Sequence, residues 1–131
     1  DEVVSERVKE ITNGQGVEVV YDSVGKDTFE DSLKCLKRLG MMVSFGQSSG
    51  AVPPVSLAQL APGAYFLTRP SIFQYNATRE ELLASANELF EVLKSGIVTI
   101  DITATYPLAD AAKAHDDLES RKTNGSIVFT V

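Results

Sequence analysis

The sequence predicts an α/β protein built on a doubly wound parallel sheet with flanking helices. Three observations carry this reading. Helix-like and strand-like segments alternate along the chain, the first two strands are short and almost continuously apolar, and small polar residues follow each of them. Parallel strands covered on both faces have that unbroken apolar pattern, whereas half-exposed strands alternate. Helix and strand alternating at this spacing point to βαβ units with right-handed crossovers.

In VVSERVKEITNGQG, Val4, Val8 and Ile11 recur at helical spacing, and Gly14 is placed to stop the helix. VEVVYD follows as a strand, rich in β-branched residues. SVGK turns the chain, and Asp27 with Glu30 has the spacing of a capping box that opens a second helix. The apolar stripe of that helix is Phe29, Leu33, Leu36 and Leu39, with Gly40 where a left-handed C-cap residue belongs. MMVSF is the next strand. GQSSGAVPPVSLAQLAPG reads as a loop interrupted by Pro53, Pro54 and Pro62, with one helical turn at 56–60. AYFLT, from Ala64 to Thr68, is a further strand, ended by Arg69 and Pro70.

The longest helix is expected over 79–95, opened by a Thr78–Glu81 capping box and closed by Gly96. Leu82, Ala86, Leu89, Phe90 and Leu93 form its apolar stripe. VTIDITATYP carries β-branched residues into Pro107, a helix is expected over 108–121, and SIVFTV is the last strand. There is no internal repeat and no low-complexity tract.

A chain of 131 residues is long enough for one domain with a real core, and its 44% hydrophobic residues suit a soluble globular protein. The net charge of −6 disfavours nonspecific binding to nucleic acid or to an anionic membrane. Cys35 is the sole cysteine, so no internal disulfide forms, and a cytoplasmic setting is expected. One cysteine and one histidine are too few for a protein-only zinc site. Asp1 is not a methionine, so the chain is expected to be a piece of a longer protein.

Open α/β sheets bind ligands in the crevice beyond the carboxyl ends of their strands. Two segments occupy such ends, Ser23–Val24–Gly25 and Gly46 to Ser49. Gly46 to Ser49 is equally a strand-ending turn or a ligand loop, since Gly and Ser dominate turns. In the other segment, Asp22 and Gly25 serve first to shape a strand-to-helix connection. His115 falls on an apolar helix face and is read as a packed residue, and Cys35 as a small core hydrophobe. Arg121 and Lys122 occupy a last helical turn, where cations favour the carbonyl end. Arg121 is equally suited to clamp a phosphate, and Arg69 has the same two readings. No catalytic triad, paired carboxylates, Walker-type loop or G-x-G-x-x-G is present.

VVYDSVGKDTFEDSLKCLKRLGMMVSFGQSSG closely resembles the second half of the cofactor domain in zinc-free quinone oxidoreductases. These are the zeta-crystallin-like branch of the medium-chain dehydrogenase/reductase superfamily. The resemblance continues through LTRPSIFQYNATREELLASANELFEVLKSG and YPLADAAKAHDDLESRKTNGSIVFTV, and so covers essentially the whole chain. DSVG and AxxAHxxLES are shared widely in the superfamily, whereas VSFGQSSG joined to LTRPS points to the quinone reductase branch.

The resemblance implies a metal-free cytoplasmic enzyme that passes a hydride from NADPH to a quinone. It implies a Rossmann-like sheet lacking its first βαβ unit, with the barrel-like catalytic domain outside this chain. Phe45, Gly46, Gln47 and Ser48 would line the cofactor, with Ser23 and Val24 beside them and Arg121 reaching it from the C-terminal end. No catalytic residue is assigned. The Ala64-to-Thr68 strand would pair with its mate in a homodimer. The glycine-rich phosphate turn and the residues that select NADPH over NADH would precede Asp1, so this segment alone is expected to be inactive. The alternatives are a zinc-free reductase of enals, enones or acyl-carrier substrates, a noncatalytic dinucleotide-binding or lens-type module, and an unrelated receiver-like domain.

Overall fold

A computed structural model describes residues 2–131, in two units, one ending at Ala77 and the other beginning at Thr78. The first holds α1 (Val4–Ile11), β1 (Val17–Asp22), α2 (Phe29–Lys34), β2 (Leu36–Ser44), β3 (Phe66–Thr68) and α3 (Ile72–Tyr75). Two 3-10 turns, Leu57–Gln59 and Ala61–Gly63, lie between β2 and β3. The three strands form one parallel sheet in the order β1-β2-β3. Asp22 pairs with Ser44, so β1 and β2 finish level with each other at a common rim.

Apolar residues on α2 and β2 build the core. Phe29, Leu33, Leu36 and Met42 are buried, and Val20, Val52, Val55, Leu60 and Tyr65 pack around them. Ser5 adds a polar tie between α1 and α2: its N–H and hydroxyl both donate to the Asp31 carboxylate, the N–H at 3.0 Å. The expectation of strands covered on both faces holds on one face only. Val19, Met41 and Phe66 align across the three strands and are 39%, 39% and 56% exposed.

The second helix is shorter than its apolar stripe predicts. It ends at Lys34, and Leu36 already pairs with Val17 as the first residue of β2. The pairing of β2 with β1 shifts register between Leu36 and Met41, and there Leu39 takes the left-handed φ of 62° that was expected of Gly40. Gly40 is required for another reason: a Cβ there would sit 2.8 Å from the Lys37 carbonyl oxygen. The Asp27–Glu30 capping box does not form. Thr28 is the N-cap, and the N–H groups of Thr28 and Phe29 donate to the Gly25 carbonyl at 3.1 and 2.9 Å. The strand expected from Ala64 begins at Phe66, because Ala64 adopts a left-handed φ of 48° at the end of a 3-10 turn.

The second unit holds α4 (Arg79–Lys94), β4 (Ile102–Pro107), a 3-10 turn (Leu108–Asp110), α5 (Ala111–Glu119) and β5 (Ser126–Thr130). β4 and β5 pair in parallel. The predicted capping box is present: Glu81 N–H donates to the Thr78 hydroxyl at 3.2 Å, and Thr78 N–H donates to the Glu81 carboxylate at 2.9 Å. Gly96 closes this helical region with a φ of 74°. On α5 the buried residue is Ala114, while His115 is exposed and not packed as its apolar neighbours suggested. Among the described residues, no helix is long and apolar enough to cross a membrane.

Candidate functional site

The rim where β1 and β2 end is organised by one buried carboxylate. Asp22 is 4% exposed and accepts four hydrogen bonds. Its Oδ1 takes the N–H groups of Val24 and Gly25 at 2.8 and 2.9 Å. Its Oδ2 takes the hydroxyls of Thr28 and Ser32, each at 2.8 Å. Burial pushes the acid's pKa up, but the donors, led by Gly25 N–H and Thr28, outweigh it and hold the group below its ordinary value. Asp22 therefore stays ionised and fixes the Ser23–Val24–Gly25 turn. It is a scaffold group with no lone pair directed to a ligand.

The loop after β2 is laced to that turn through the backbone. Phe45 and Gly46 N–H groups donate to the Asp22 carbonyl at 2.9 and 3.3 Å. Ser48 N–H donates to Ser23 O at 3.3 Å, and Ser49 N–H to Val24 O at 2.9 Å. The Ser49 hydroxyl donates to Val24 O at 2.8 Å and accepts from Asp27 N–H at 3.1 Å. Such close lacing needs glycine. A Cβ on Gly46 would stand 2.7 Å from the Ser23 Cα, and one on Gly25 would stand 2.8 Å from the Gly50 carbonyl oxygen.

The lacing brings Ser23, Val24, Phe45, Gly46, Gln47 and Ser48 together, as the spacing of the two strands anticipated. Ser23, Phe45, Gln47 and Ser48 are exposed, and Val24 and Gly46 half-buried. The hydroxyls of Ser23 and Ser48 and the Gln47 side-chain amide have no partner among the described residues. The Phe45 ring meets the Tyr21 ring edge-on, centroids 6.5 Å apart. The rim can thus offer hydroxyl and amide donors beside a flat apolar surface, but no acid, base or nucleophile.

Arg121 lies in the second unit, past the end of α5, with a left-handed φ of 56° and its N–H on the Leu118 carbonyl at 3.1 Å. Its side chain is exposed. Arg69, for which spacing left two readings, binds protein: its Nη1 donates to the carbonyls of Ser44 and Gly46 at 2.8 and 3.2 Å. Sequence reasoning missed Thr28 and Ser32 as partners of Asp22, because their contacts form across six and ten residues of turning chain.

Among the described residues no three His, Cys, Asp or Glu side chains converge on a common point. Cys35 is buried and donates its Sγ–H to the Asp31 carbonyl at 3.3 Å. Burial, and then the charge of Asp31, push its thiol pKa up.

A family model described as zinc-binding dehydrogenase matches residues 1–129. Over 129 residues the chain is 54% identical to quinone oxidoreductase 1 of Escherichia coli K12, a match covering 96% of this chain and 39% of that protein. It is 41% identical to a 2-haloacrylate reductase of Burkholderia, over 95% of this chain and 38% of that enzyme. The crystal structure of E. coli quinone oxidoreductase complexed with NADPH superposes with a TM-score of 0.92 at 52% identity, over 100% of this chain and 41% of that one. The chain thus spans about two fifths of the length of these relatives.

Proposed function

We propose, for a chain that belongs to the zinc-binding dehydrogenase family, that it forms the C-terminal part of the Rossmann-like cofactor domain of a zinc-free, NADPH-dependent quinone reductase. The 54% identity to a quinone oxidoreductase carries this reading. The shared rim of β1 and β2 supports it, since an α/β sheet offers a nucleotide its carboxyl ends.

Bound NADPH supplies the hydride that reduces the quinone, and the protein supplies position and shielding. In this reading Ser23, Gln47 and Ser48 donate hydrogen bonds to polar groups of the cofactor. Val24 and Phe45 give a flat ring an apolar wall, and Gly46 lets the two loops approach. Arg121 offers a phosphate its planar donor fork. NADPH is preferred to NADH by analogy with relatives solved as NADPH complexes. The segment alone is inactive in this account, because the phosphate turn and the barrel-like catalytic domain belong to the rest of the protein. The intact enzyme works in the cytoplasm as a homodimer that pairs the free edge of β3 with its mate.

The similarity to a 2-haloacrylate reductase favours one second reading, reduction of an activated alkene. Assays of the full-length protein separate the two. Oxidation of NADPH with a benzoquinone but not with an α,β-unsaturated acid or aldehyde supports quinone reduction. The reverse preference assigns the alkene, and NADPH binding without turnover of either would leave a binding module.

A further inference from the structure

We propose that Arg69 is a positioning residue that aims the backbone N–H of Gln47 at the bound cofactor by gripping the two carbonyls on either side of Phe45. The inference rests on the NADPH reading of the rim. Between Phe45 and Gly50, the N–H groups of residues 45, 46, 48, 49 and 50 all donate to backbone carbonyls. The N–H of Gln47 has no acceptor among the described residues. An amide left unpaired within an otherwise fully paired loop is available to a ligand.

The direction of that N–H is set by the preceding peptide. Among the described residues no peptide bond is cis, and in a trans peptide the C=O and N–H lie on opposite edges. The Gly46 carbonyl accepts from Arg69 Nη1 at 3.2 Å, so the Gln47 N–H points away from Arg69. The same nitrogen donates to the Ser44 carbonyl at 2.8 Å. On its other side, this segment is held by Phe45 and Gly46 N–H groups donating to Asp22 O. Glycine at 46 has unusual rotational freedom, so without the guanidinium its peptide plane is free to turn and carry the Gln47 N–H with it. Arg69 follows β3, whose Thr68 pairs with Val43, so the third strand supplies the brace for a rim made by the other two.

The test uses the full-length protein with Arg69→Ala and Arg69→Lys. Read-outs are NADPH affinity by fluorescence titration, separate KM values for NADPH and for a benzoquinone, melting temperature, and the Gln47 amide resonance. Losing an ordering contact of this kind should weaken NADPH binding about tenfold in Arg69→Ala, with the quinone KM and melting temperature little changed. Arg69→Lys, which keeps a charged donor, should recover most of that loss. NADPH should shift the Gln47 amide resonance in the wild type, and much less in Arg69→Ala. NADPH affinity within twofold of wild type in Arg69→Ala, or a wild-type Gln47 amide that ignores NADPH while those of Ser23 and Ser48 respond, would overturn the inference and leave the reading of the rim standing. If Arg69→Ala does not fold, equal NADPH affinity in Arg69→Lys and in Arg69→Met, which has no donor, overturns it instead. A wild-type protein that does not bind NADPH removes both.

Discussion

A Cβ on Gly46 would lie 2.7 Å from the Cα of Ser23, closer than folded chains allow. Glycine at 46 is therefore a condition for the two strand-end loops to touch. In the full-length protein, Gly46→Ala must push the loops apart or break the Phe45 and Gly46 bonds to Asp22 O. NADPH affinity should fall by about tenfold or more, since a displacement of this size spoils positioned contacts. Gly46→Val should be worse. A fluorescence titration with unchanged affinity in Gly46→Ala would remove this loop from the site.

Asp22 gives the rim its rigidity, and its replacements should rank by how many donors they strand. Asp22→Ala leaves two backbone N–H groups and two hydroxyls without their acceptor and should cost about 2–4 kcal/mol in urea unfolding. Asp22→Asn keeps one oxygen for the N–H pair, and the hydroxyls of Thr28 and Ser32 can rotate to accept, so about 1 kcal/mol is expected. The pH dependence has a definite sign. The folded-state pKa lies below the unfolded one, so the stabilisation is present above the unfolded value of about 3.9 and is lost as pH falls through the lower folded value. Asp22→Asn should lose that part of the acid sensitivity. An acid profile identical to wild type would contradict the account.

Cys35 should behave as a core residue. Its thiol is buried, and its pKa is raised by burial and then by Asp31. Native protein should react with a thiol reagent far more slowly than unfolded protein, at least 100-fold by the usual protection of closed structure. Equal rates would place the sulfur outside the core.

The free edge of β3 is the proposed seam of the homodimer. Sedimentation of the full-length protein should give a dimer at micromolar concentration. Leu67→Pro should release monomer with its far-ultraviolet spectrum preserved, because proline removes one ladder N–H from an edge. A wild-type monomer at every concentration would rule the seam out.

Much of the fold was legible because its signals were local. The presence of α1, the bounds of β1, the Thr78–Glu81 capping box and the closing Gly96 follow from spacing within a few residues. What escaped depended on partners distant in sequence. The apolar periodicity of Phe29, Leu33, Leu36 and Leu39 continued past the helix because Leu36 is a buried strand residue and Leu39 an exposed one in the irregular stretch of β2. The rim was legible as two strand ends, but not the lacing between them, which joins residues more than twenty positions apart. Arg69 was ambiguous for the same reason, since its acceptors are Ser44 and Gly46.

The most direct measurement is a crystal structure of the full-length protein with NADPH. The account predicts cofactor atoms within about 4 Å of both Ser23–Val24 and Phe45–Ser48, at the rim where Asp22 pairs with Ser44. Nucleotide bound at the opposite, amino ends of β1 and β2, with that rim bare, would contradict it.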